Sequence, residues 1–451
     1  MIWLVDYNYY QKSIDPQLQA YRQDYFKIKS VVRKKIIGET ARPQTRVFST
    51  GLLRIATLLH YNGVEVRYLH YYTFVDLLNA GAGLPECIAF SAACPTVPYC
   101  AELCQKIKEI SPKTKVLLGG IHVNVAEKET RERYGNVFDG FATGFELEGA
   151  EKIAGKKLSL LPAKYVDYSL LPFPLREYAI NTFTTMGCPF SCAYCVDGRS
   201  PHFVSSLNGQ LDDMMQLLPD RTLVHFFDSV LGYSQERLKE VCDAIEKTNH
   251  NFLLSCDMRA DLLTPELVRR MQKAGFVEIR LGMESSDDGL LSKNERTLGF
   301  ERFKKQLDMI RQESDLYVAL YAITGLPGTT RQIQDKTLDD CDELLHKGLV
   351  HEVKNMLYVP YPMTGVNYQE RGVKIIEQDW KKYDRQSYPV YETEQMSREE
   401  LWDLYLHTSK RICQSWLSSI GVSSVDDLPA DTGYYAEYIQ SNYQLKDTKD
   451  E

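Results

Sequence analysis

Three cysteines carry the densest chemistry in the chain. Cys188, Cys192 and Cys195 stand in the run Met186-Gly187-Cys188-Pro189-Phe190-Ser191-Cys192-Ala193-Tyr194-Cys195, directly after a β-prone stretch from Ile180 to Thr185. Three thiolates can hold three corners of a four-iron, four-sulfur cluster, and with no fourth cysteine at the usual spacing one iron stays open to an exogenous ligand. A structural zinc site wants four ligands, usually as two C-x2-C pairs, and no second pair follows. Gly187 and Pro189 shape a loop rather than an apolar face, which argues against three unrelated core cysteines. Three further stretches offer polar or backbone-permissive residues: Phe226-Phe227-Asp228, Gly282-Met283-Glu284-Ser285-Ser286 and Ile323-Thr324-Gly325-Leu326-Pro327-Gly328. A carboxylate such as Glu284 can accept hydrogen bonds from a ligand ammonium, and the glycines let a flat ring approach the backbone.

These stretches need a scaffold, and the hydrophobic pattern supplies two. Apolar runs at 2–5, 64–69, 87–91, 115–118 and 138–142 read as strands, and helical patterns at 50–61 and 98–110 lie between them. This alternation predicts a doubly wound parallel sheet over 1–154, with its ligand crevice past the strand carboxyl ends. Ser91, Gly119, Gly120, His122, Gly144 and Glu146 all fall there. Residues 155–179, with Pro162, Pro172 and Pro174, read as a linker. A second alternation follows over 180–360. Its strands fall at 180–186, 222–228, 252–258, 277–284, 316–323 and 351–358, and its helices near 206–218, 234–248, 264–274, 299–313 and 330–347. Six strands predict a partial barrel, short of the eight that close one, with the cysteine loop at the face where such barrels carry active sites. Residues 361–451 read as a mainly helical region opened by the capping box Ser397-Arg398-Glu399-Glu400, with a frayed end over 446–451.

The 451 residues carry a net charge of -8, so no global basic field draws in nucleic acid. No apolar run approaches the roughly 20 residues of a membrane span, and the amino terminus meets Asp6 at once, unlike a signal peptide. Eleven cysteines without secretory features point to a reducing cytoplasm.

Cys188-x3-Cys192-x2-Cys195 followed by Gly-Met-Glu-Ser and Gly-Leu-Pro-Gly resembles the radical S-adenosylmethionine enzymes. The amino-terminal half is similar to the Rossmann-like cobalamin-binding domain fused to many of them. That similarity rests on Ser91 through Thr96-Val97-Pro98, on Gly119-Gly120-Ile121-His122 and on Gly144-Phe145-Glu146. The resemblance implies a [4Fe-4S] cluster on the three cysteines, S-adenosylmethionine on its open iron, and cobalamin on the first sheet. One electron, from a donor such as flavodoxin or ferredoxin, would split the sulfonium and give a 5′-deoxyadenosyl radical. That radical would activate a carbon of a small-molecule or peptide substrate in a biosynthetic pathway. Tyr194, Glu284, Ser285, Ile323 and Gly325 are the implied S-adenosylmethionine contacts. The family's Gly-Gly-Glu after the second barrel strand is replaced by Phe227-Asp228-Ser229, where Asp228 either binds the ammonium or only supports the loop. No D-x-H-x-x-G motif supplies a lower cobalt ligand; His122 is the remaining candidate, though packing or a bond to the corrin edge is the commoner role. C-methylation is the expected outcome, with cyclisation, epimerisation or rearrangement as the alternative.

Some features have plainer readings. Cys87, Cys94, Cys100 and Cys104 read as core thiols. Arg33-Lys34-Lys35 reads as a solvated helix face, with a phosphate contact as the alternative. Tyr383, Tyr388, Tyr391 and Tyr405 either wall a substrate cavity or pack the last helices.

Overall fold

Strand β1 (Ile2–Tyr7) is buried along its whole length and lies inside the first sheet, paired on both sides. Residues 1–7, 15–38, 46–160, 165–200, 202–204, 210–296, 298–385 and 388–429 are described by the computed structural model of the chain. Pro162, the start of the helix expected near 206–218, and the tail over 446–451 lie outside them. After β1 the chain forms α1 (Pro16–Ile37), α2 (Thr50–Tyr61), β2 (Val66–His70), α3 (Tyr71–Asn79), β3 (Cys87–Ala92) and α4 (Val97–Ile110). Then come β4 (Lys115–Gly119), α5 (Ile121–Val125), α6 (Glu127–Tyr134), β5 (Gly140–Ala142) and α7 (Glu146–Ala154). The five strands are parallel in the order β2-β1-β3-β4-β5. The strand order reverses between β1 and β3, which opens a crevice beyond their carboxyl ends.

The 155–179 segment is more than a tether. Val166, Tyr168, Leu171, Leu175 and Tyr178 are buried in a core cluster that draws on both halves of the chain. Its prolines and single 3-10 turns hide that burial from any helical or strand period.

The second half holds β6 (Ile180–Thr182), β7 (Thr185–Met186), β8 (Phe203–Val204), α8 (Gln210–Met215), β9 (Leu223–Phe226), α9 (Gln235–Glu246) and β10 (Leu253–Met258). It continues with α10 (Pro265–Lys273), β11 (Phe276–Glu284), α11 (Asp288–Lys293), α12 (Phe300–Glu313), β12 (Tyr317–Thr324), α13 (Arg331–His346) and β13 (Glu352–Leu357). Six parallel strands pair in the order β13-β12-β11-β10-β9-β6 and form the partial barrel. The strand expected over 180–186 is broken: β6 stops at Thr182, and β7 pairs antiparallel with β8 to flank the cysteine loop. The carboxyl-terminal region opens on an antiparallel pair, β14 (Val373–Ile375) and β15 (Tyr391–Thr393), before the long helix α14 (Arg398–Ser419). The expected capping box is present, with Ser397 Oγ accepting from the Glu400 amide and Glu400 accepting from the Ser397 amide.

Helix α1 returns from the first half to the barrel. Asp15 caps it and Pro16 starts it. Lys29 Nζ reaches Glu352 at 2.7 Å, and Tyr25 also donates to Glu352. Arg33 pairs with Glu278, which accepts from Arg280 Nε at 2.7 Å as well. Arg33 is therefore neither a solvated cation nor a phosphate contact. It is buried and answers a carboxylate that has no exposed surface. Burial raises the pKa of Glu278, but Arg33, Arg280 and Lys29 together hold its carboxyl well below the usual range.

Glu278→Leu would leave Arg33 and Arg280 buried without their counterion. It should destabilise the protein by about 3–5 kcal/mol. A urea midpoint equal to that of the parent protein would contradict this assignment.

Candidate active site at the barrel rim

The cysteine loop is held from several sides. Its entry is fixed by Asp228, just past β9, which accepts from the Thr184 amide at 2.9 Å, Thr184 Oγ1 at 2.6 Å and Thr185 Oγ1 at 2.7 Å. Asp228 is buried, and these donors pull residues 184–185 out of the β6 line and into the β7–β8 hairpin. Within the loop, the Cys188 amide donates to Asp197 O at 3.1 Å and the Cys195 amide to Cys192 O at 3.1 Å. The Ala193 amide donates to Asn294 O at 3.2 Å, and Arg371 donates to Ala193 O at 2.6 Å.

The three site cysteines are half-buried, whereas every other cysteine in the chain is buried. Their sulfurs lie within electrostatic reach of one another. Burial raises the Cys188 thiol, and Asp197 and Cys192 add to the rise. Burial and Asp197 push Cys195 up to about 12. Such thiols ionise when a metal supplies the compensating charge. Among the described residues, no group of three His, Cys, Asp or Glu side chains is gathered tightly enough to chelate a single ion. A cluster asks for something different, one thiolate at each of three separate irons. The donor set fits that group and not a closed zinc site.

Beside the loop, β11 ends in a bulge between Gly282 and Glu284, and Glu284 sits at φ 66°. A left-handed glutamate is a strained conformation of the kind that clusters at functional sites. Burial raises the Glu284 pKa, against the pull of Arg296 and a hydrogen bond from Tyr194. Arg296 lies 3.9 Å from Glu284 and donates to Gly282 O at 2.6 Å. Ser285 Oγ is 3.0 Å from Thr337 Oγ1, which ties the bulge to α13. Ile323 is half-buried near the end of β12. Gly325 follows at φ 86°; its carbonyl accepts from Tyr391 OH at 2.7 Å, and a Cβ there would collide with that hydroxyl. Tyr194, Glu284, Ser285, Ile323 and Gly325 are thus assembled at one rim with the cysteines, whereas Asp228 lies beneath, bonded to the loop.

Sequence reasoning missed two arginines here. Arg259, following β10, lies 4.2 Å over the Phe190 ring and pairs with Asp261 at 2.6 Å. It also lowers the Cys188 pKa. Arg296 was equally silent. Each sits just past a strand or short helix at the active rim, the one positional signal that singles them out.

At the first sheet, Gly120 has φ 101°, and a Cβ would stand 2.5 Å from both the Ala92 nitrogen and oxygen, so the β4–α5 turn packs directly on the end of β3. Gly119 lies against Ala142 O, and the Gly144 amide donates to Asn124 at 2.9 Å. Ser91 is buried at the end of β3. Thr96 Oγ1 bonds both the Ala93 amide and carbonyl at 3.0 Å, closing the turn after β3. Glu146 accepts from Tyr165 and lies 3.6 Å from Arg54, on the side of the 155–179 segment. His122 is buried against Trp380, ring centroids 4.7 Å apart. Among the described residues its Nε2 has no hydrogen-bond partner, and burial pushes its pKa down to about 3. A buried ring nitrogen without a partner is costly unless a bound group completes it. With the β1/β3 crevice, this makes the edge suited to a polar-rimmed cofactor.

The two edges meet. Asp6 at the end of β1 accepts from the Ser49 amide at 2.7 Å, Ser49 caps α2, and Thr50 of α2 bonds Asn181 of β6. A Cβ on Gly51 would lie 3.6 Å from Met186 Cε, just before the cysteines.

Comparison with known proteins agrees with this layout. The B12 binding domain model matches residues 40–148, and the Radical SAM superfamily model matches residues 182–341. An anaerobic magnesium-protoporphyrin IX monomethyl ester cyclase of Rubrivivax gelatinosus is 23% identical over 242 residues, 52% of this chain and 42% of that protein. A bacteriochlorophyllide d C-8(2)-methyltransferase of Chlorobaculum tepidum is 23% identical over 309 residues, 60% of this chain and 65% of that protein. The matches thus span less than two thirds of these relatives' lengths. Among solved structures, the radical S-adenosylmethionine methyltransferase TsrM of Kitasatospora setae, with cobalamin and a [4Fe-4S] cluster bound, superposes with a TM-score of 0.61 at 15% identity. That match covers 96% of this chain and 91% of TsrM. The cobalamin-dependent radical enzyme OxsB gives 0.53 at 14% identity, covering 78% of this chain and 52% of OxsB. At such identities the likeness is one of fold. Among the described residues no helix is long and apolar enough to cross a membrane. With a B12-binding domain feeding its carboxyl edge into the cysteine rim of a radical barrel, the chain belongs to the cobalamin-dependent radical S-adenosylmethionine enzymes.

Proposed function

We propose that this protein is a C-methyltransferase that acts on an unactivated carbon of a substrate held inside the partial barrel. The observation that supports this most is the junction from Asp6 through Ser49 and Thr50 to Asn181, which brings the ligand edge of the first sheet to the cysteine loop. When bound, the cluster, S-adenosylmethionine and cobalamin together supply one-electron sulfonium cleavage and a transferable methyl group. The chain's own residues do the holding. Cys188, Cys192 and Cys195 anchor the cluster as thiolates. Glu284, on its strained bulge, accepts hydrogen bonds from the methionine ammonium; Arg296 at 3.9 Å favours its charged form. The Gly325 backbone, pinned by Tyr391, offers a surface to the adenine. Asp228 serves as a positioning residue through Thr184 and Thr185. Ser91, Gly119, Gly120, Gly144 and His122 would border the corrin, with Thr96 and Glu146 shaping its surroundings.

A second reading keeps both cofactors and ends in ring closure or another rearrangement, because relatives of this chain are named as cyclases as well as a methyltransferase. Product analysis separates the two. Reconstituted enzyme with a reductant and candidate substrates should yield 5′-deoxyadenosine, S-adenosylhomocysteine and a methylated product. Formation of 5′-deoxyadenosine and altered substrate without S-adenosylhomocysteine would select the second reading instead.

Cys192→Ala should lose the visible iron–sulfur absorbance and 5′-deoxyadenosine formation together; retention of both would exclude the assigned cluster site. Glu284→Gln should keep the cluster but weaken S-adenosylmethionine binding about 10- to 100-fold, the worth of a hydrogen bond between charged groups. Calorimetry under anaerobic conditions reads this directly, and an unchanged Kd would remove Glu284 from the ammonium site.

A further inference from the structure

Arg371 reaches the cysteine loop from outside the barrel. It ends the 3-10 turn Gln369–Arg371, between β13 and β14, and its Nη1 donates to Ala193 O at 2.6 Å. Ala193 is buried between Cys192 and Cys195, and its amide donates to Asn294 O at 3.2 Å. Both backbone polar groups of this residue are therefore held, one by the barrel and one by the carboxyl-terminal region. The segment that carries Arg371 is fixed in turn on α5 and α6 of the first domain. Before it, the Thr364 amide donates to Val125 O at 2.8 Å and Thr364 Oγ1 to Glu129 at 2.7 Å. After it, Arg133 donates to Gln378 O at 2.7 Å and lies 4.4 Å over the Trp380 ring, the ring that packs on His122. The guanidinium is thus anchored by contacts independent of the loop it bonds.

The charge it brings differs from those of the other arginines at the loop. Arg259 pairs with Asp261 at 2.6 Å, and Arg296 stands 3.9 Å from Glu284. Among the described residues Arg371 forms no ion pair. Asp197, whose backbone accepts from the Cys188 amide, turns its carboxylate to Ser229 Oγ at 2.9 Å instead. A cluster on three thiolates becomes more negative by one charge when it takes up an electron, and net charge is one of the terms that set its reduction potential. A fixed cation bonded to the backbone that joins two of the three ligands favours the reduced form. Because Arg371 is half-buried, solvent screens that field only in part.

We propose that Arg371 is a positioning residue for the cluster: through Ala193 it holds the stretch between Cys192 and Cys195, and its charge raises the cluster's reduction potential. The step it serves is the uptake of one electron from the donor, with no bond made or broken. This rests on the assignment of the cluster to the three cysteines, but not on which reaction follows. Arg371 lies outside residues 182–341, which match the superfamily model, so that match does not account for it.

The test is a potentiometric titration of the full chain loaded with cluster and cobalamin, without S-adenosylmethionine, read by the paramagnetic resonance of the reduced cluster. Arg371→Gln keeps a hydrogen-bond donor but loses the charge. It should take up as much iron and sulfide as the parent protein and show a potential lower by about 59 mV, a tenfold shift of a one-electron equilibrium. Arg371→Lys keeps the charge and should stay within about threefold of the parent equilibrium. An unchanged potential in Arg371→Gln would overturn the proposal. So would an equal fall in Arg371→Lys, which would trace the effect to the shape of the side chain and not to its charge. Loss of iron from either variant would also overturn it, since Arg371 would then only brace the loop. A parent protein that takes up no cluster is a distinct result: it would remove the cysteine assignment, and this proposal with it.

Discussion

The barrel depends on charges brought from outside it. Six strands do not close a cylinder, and β11 and β13 each carry a fully buried glutamate near the amino end. Left alone, Glu278 and Glu352 would each bear a large desolvation penalty. Helix α1, which belongs in sequence to the first half, lies across them and delivers Tyr25, Lys29 and Arg33. Tyr317 adds a further bond to Glu352 at 3.0 Å. Such pairs bring little net stability over apolar packing, but breaking one is expensive. Their consequence is geometric: the two halves are locked in one arrangement, so the ligand edge of one sheet is fixed against the reactive rim of the other.

The rim itself separates residues that build from residues that remain available. Asp228, Ser285 and Thr96 sit at strand ends where function is expected, yet each engages its own backbone or a neighbouring hydroxyl. Glu284 is different, because its left-handed backbone and raised pKa are borne by a bulge that another residue type would not need. His122 Nε2 is a further case, a buried polar atom without a hydrogen-bond partner among the described residues. Tyr391, Tyr405, Tyr383 and Tyr388 settle on the building side. Tyr391 braces Gly325, Tyr383 bonds Glu377 O at 2.7 Å, Tyr405 packs with Trp402, and Arg398 covers Tyr388.

The alternation of strands and helices was legible because each barrel strand is a short apolar run with capped helices between, as at Thr264, whose hydroxyl accepts from the Leu267 amide. The cysteine loop was legible because its spacing is local. Helix α1 was not recognised, although Leu18, Tyr21, Tyr25, Ile28 and Val32 recur at helical intervals. Its buried face also carries Lys29 and Arg33, and a polar inward face masks the period on which such readings rely. The broken strand at 180–186 was equally hidden, since the break is made by Asp228, more than forty residues away. Arg296 and Arg259 belong to no motif; beyond their place just past an element at the rim, what marks them is the company they keep after folding.

The charges of the barrel form a graded series from α1 to the rim. Near the amino ends every cation has its carboxylate, and the helix seals them from water. Midway, His225 spans Ser255 and Asp257 at 2.9 and 3.1 Å. Burial lowers its pKa, and Arg280 pushes the same way. Arg280, which answers Glu278, and Lys354, beside the Tyr321 ring, share this middle layer. Toward the mouth comes Arg296, beside Glu284, with Asp197 bonded to the cysteine loop. The polarity of this wall therefore runs from answered charges at the amino end to Glu284 and Arg296 at the rim. That polarity is set by buried pairs at the amino end. Without Glu278 and Glu352, the cations Lys29, Arg33 and Arg280 would stand unanswered there.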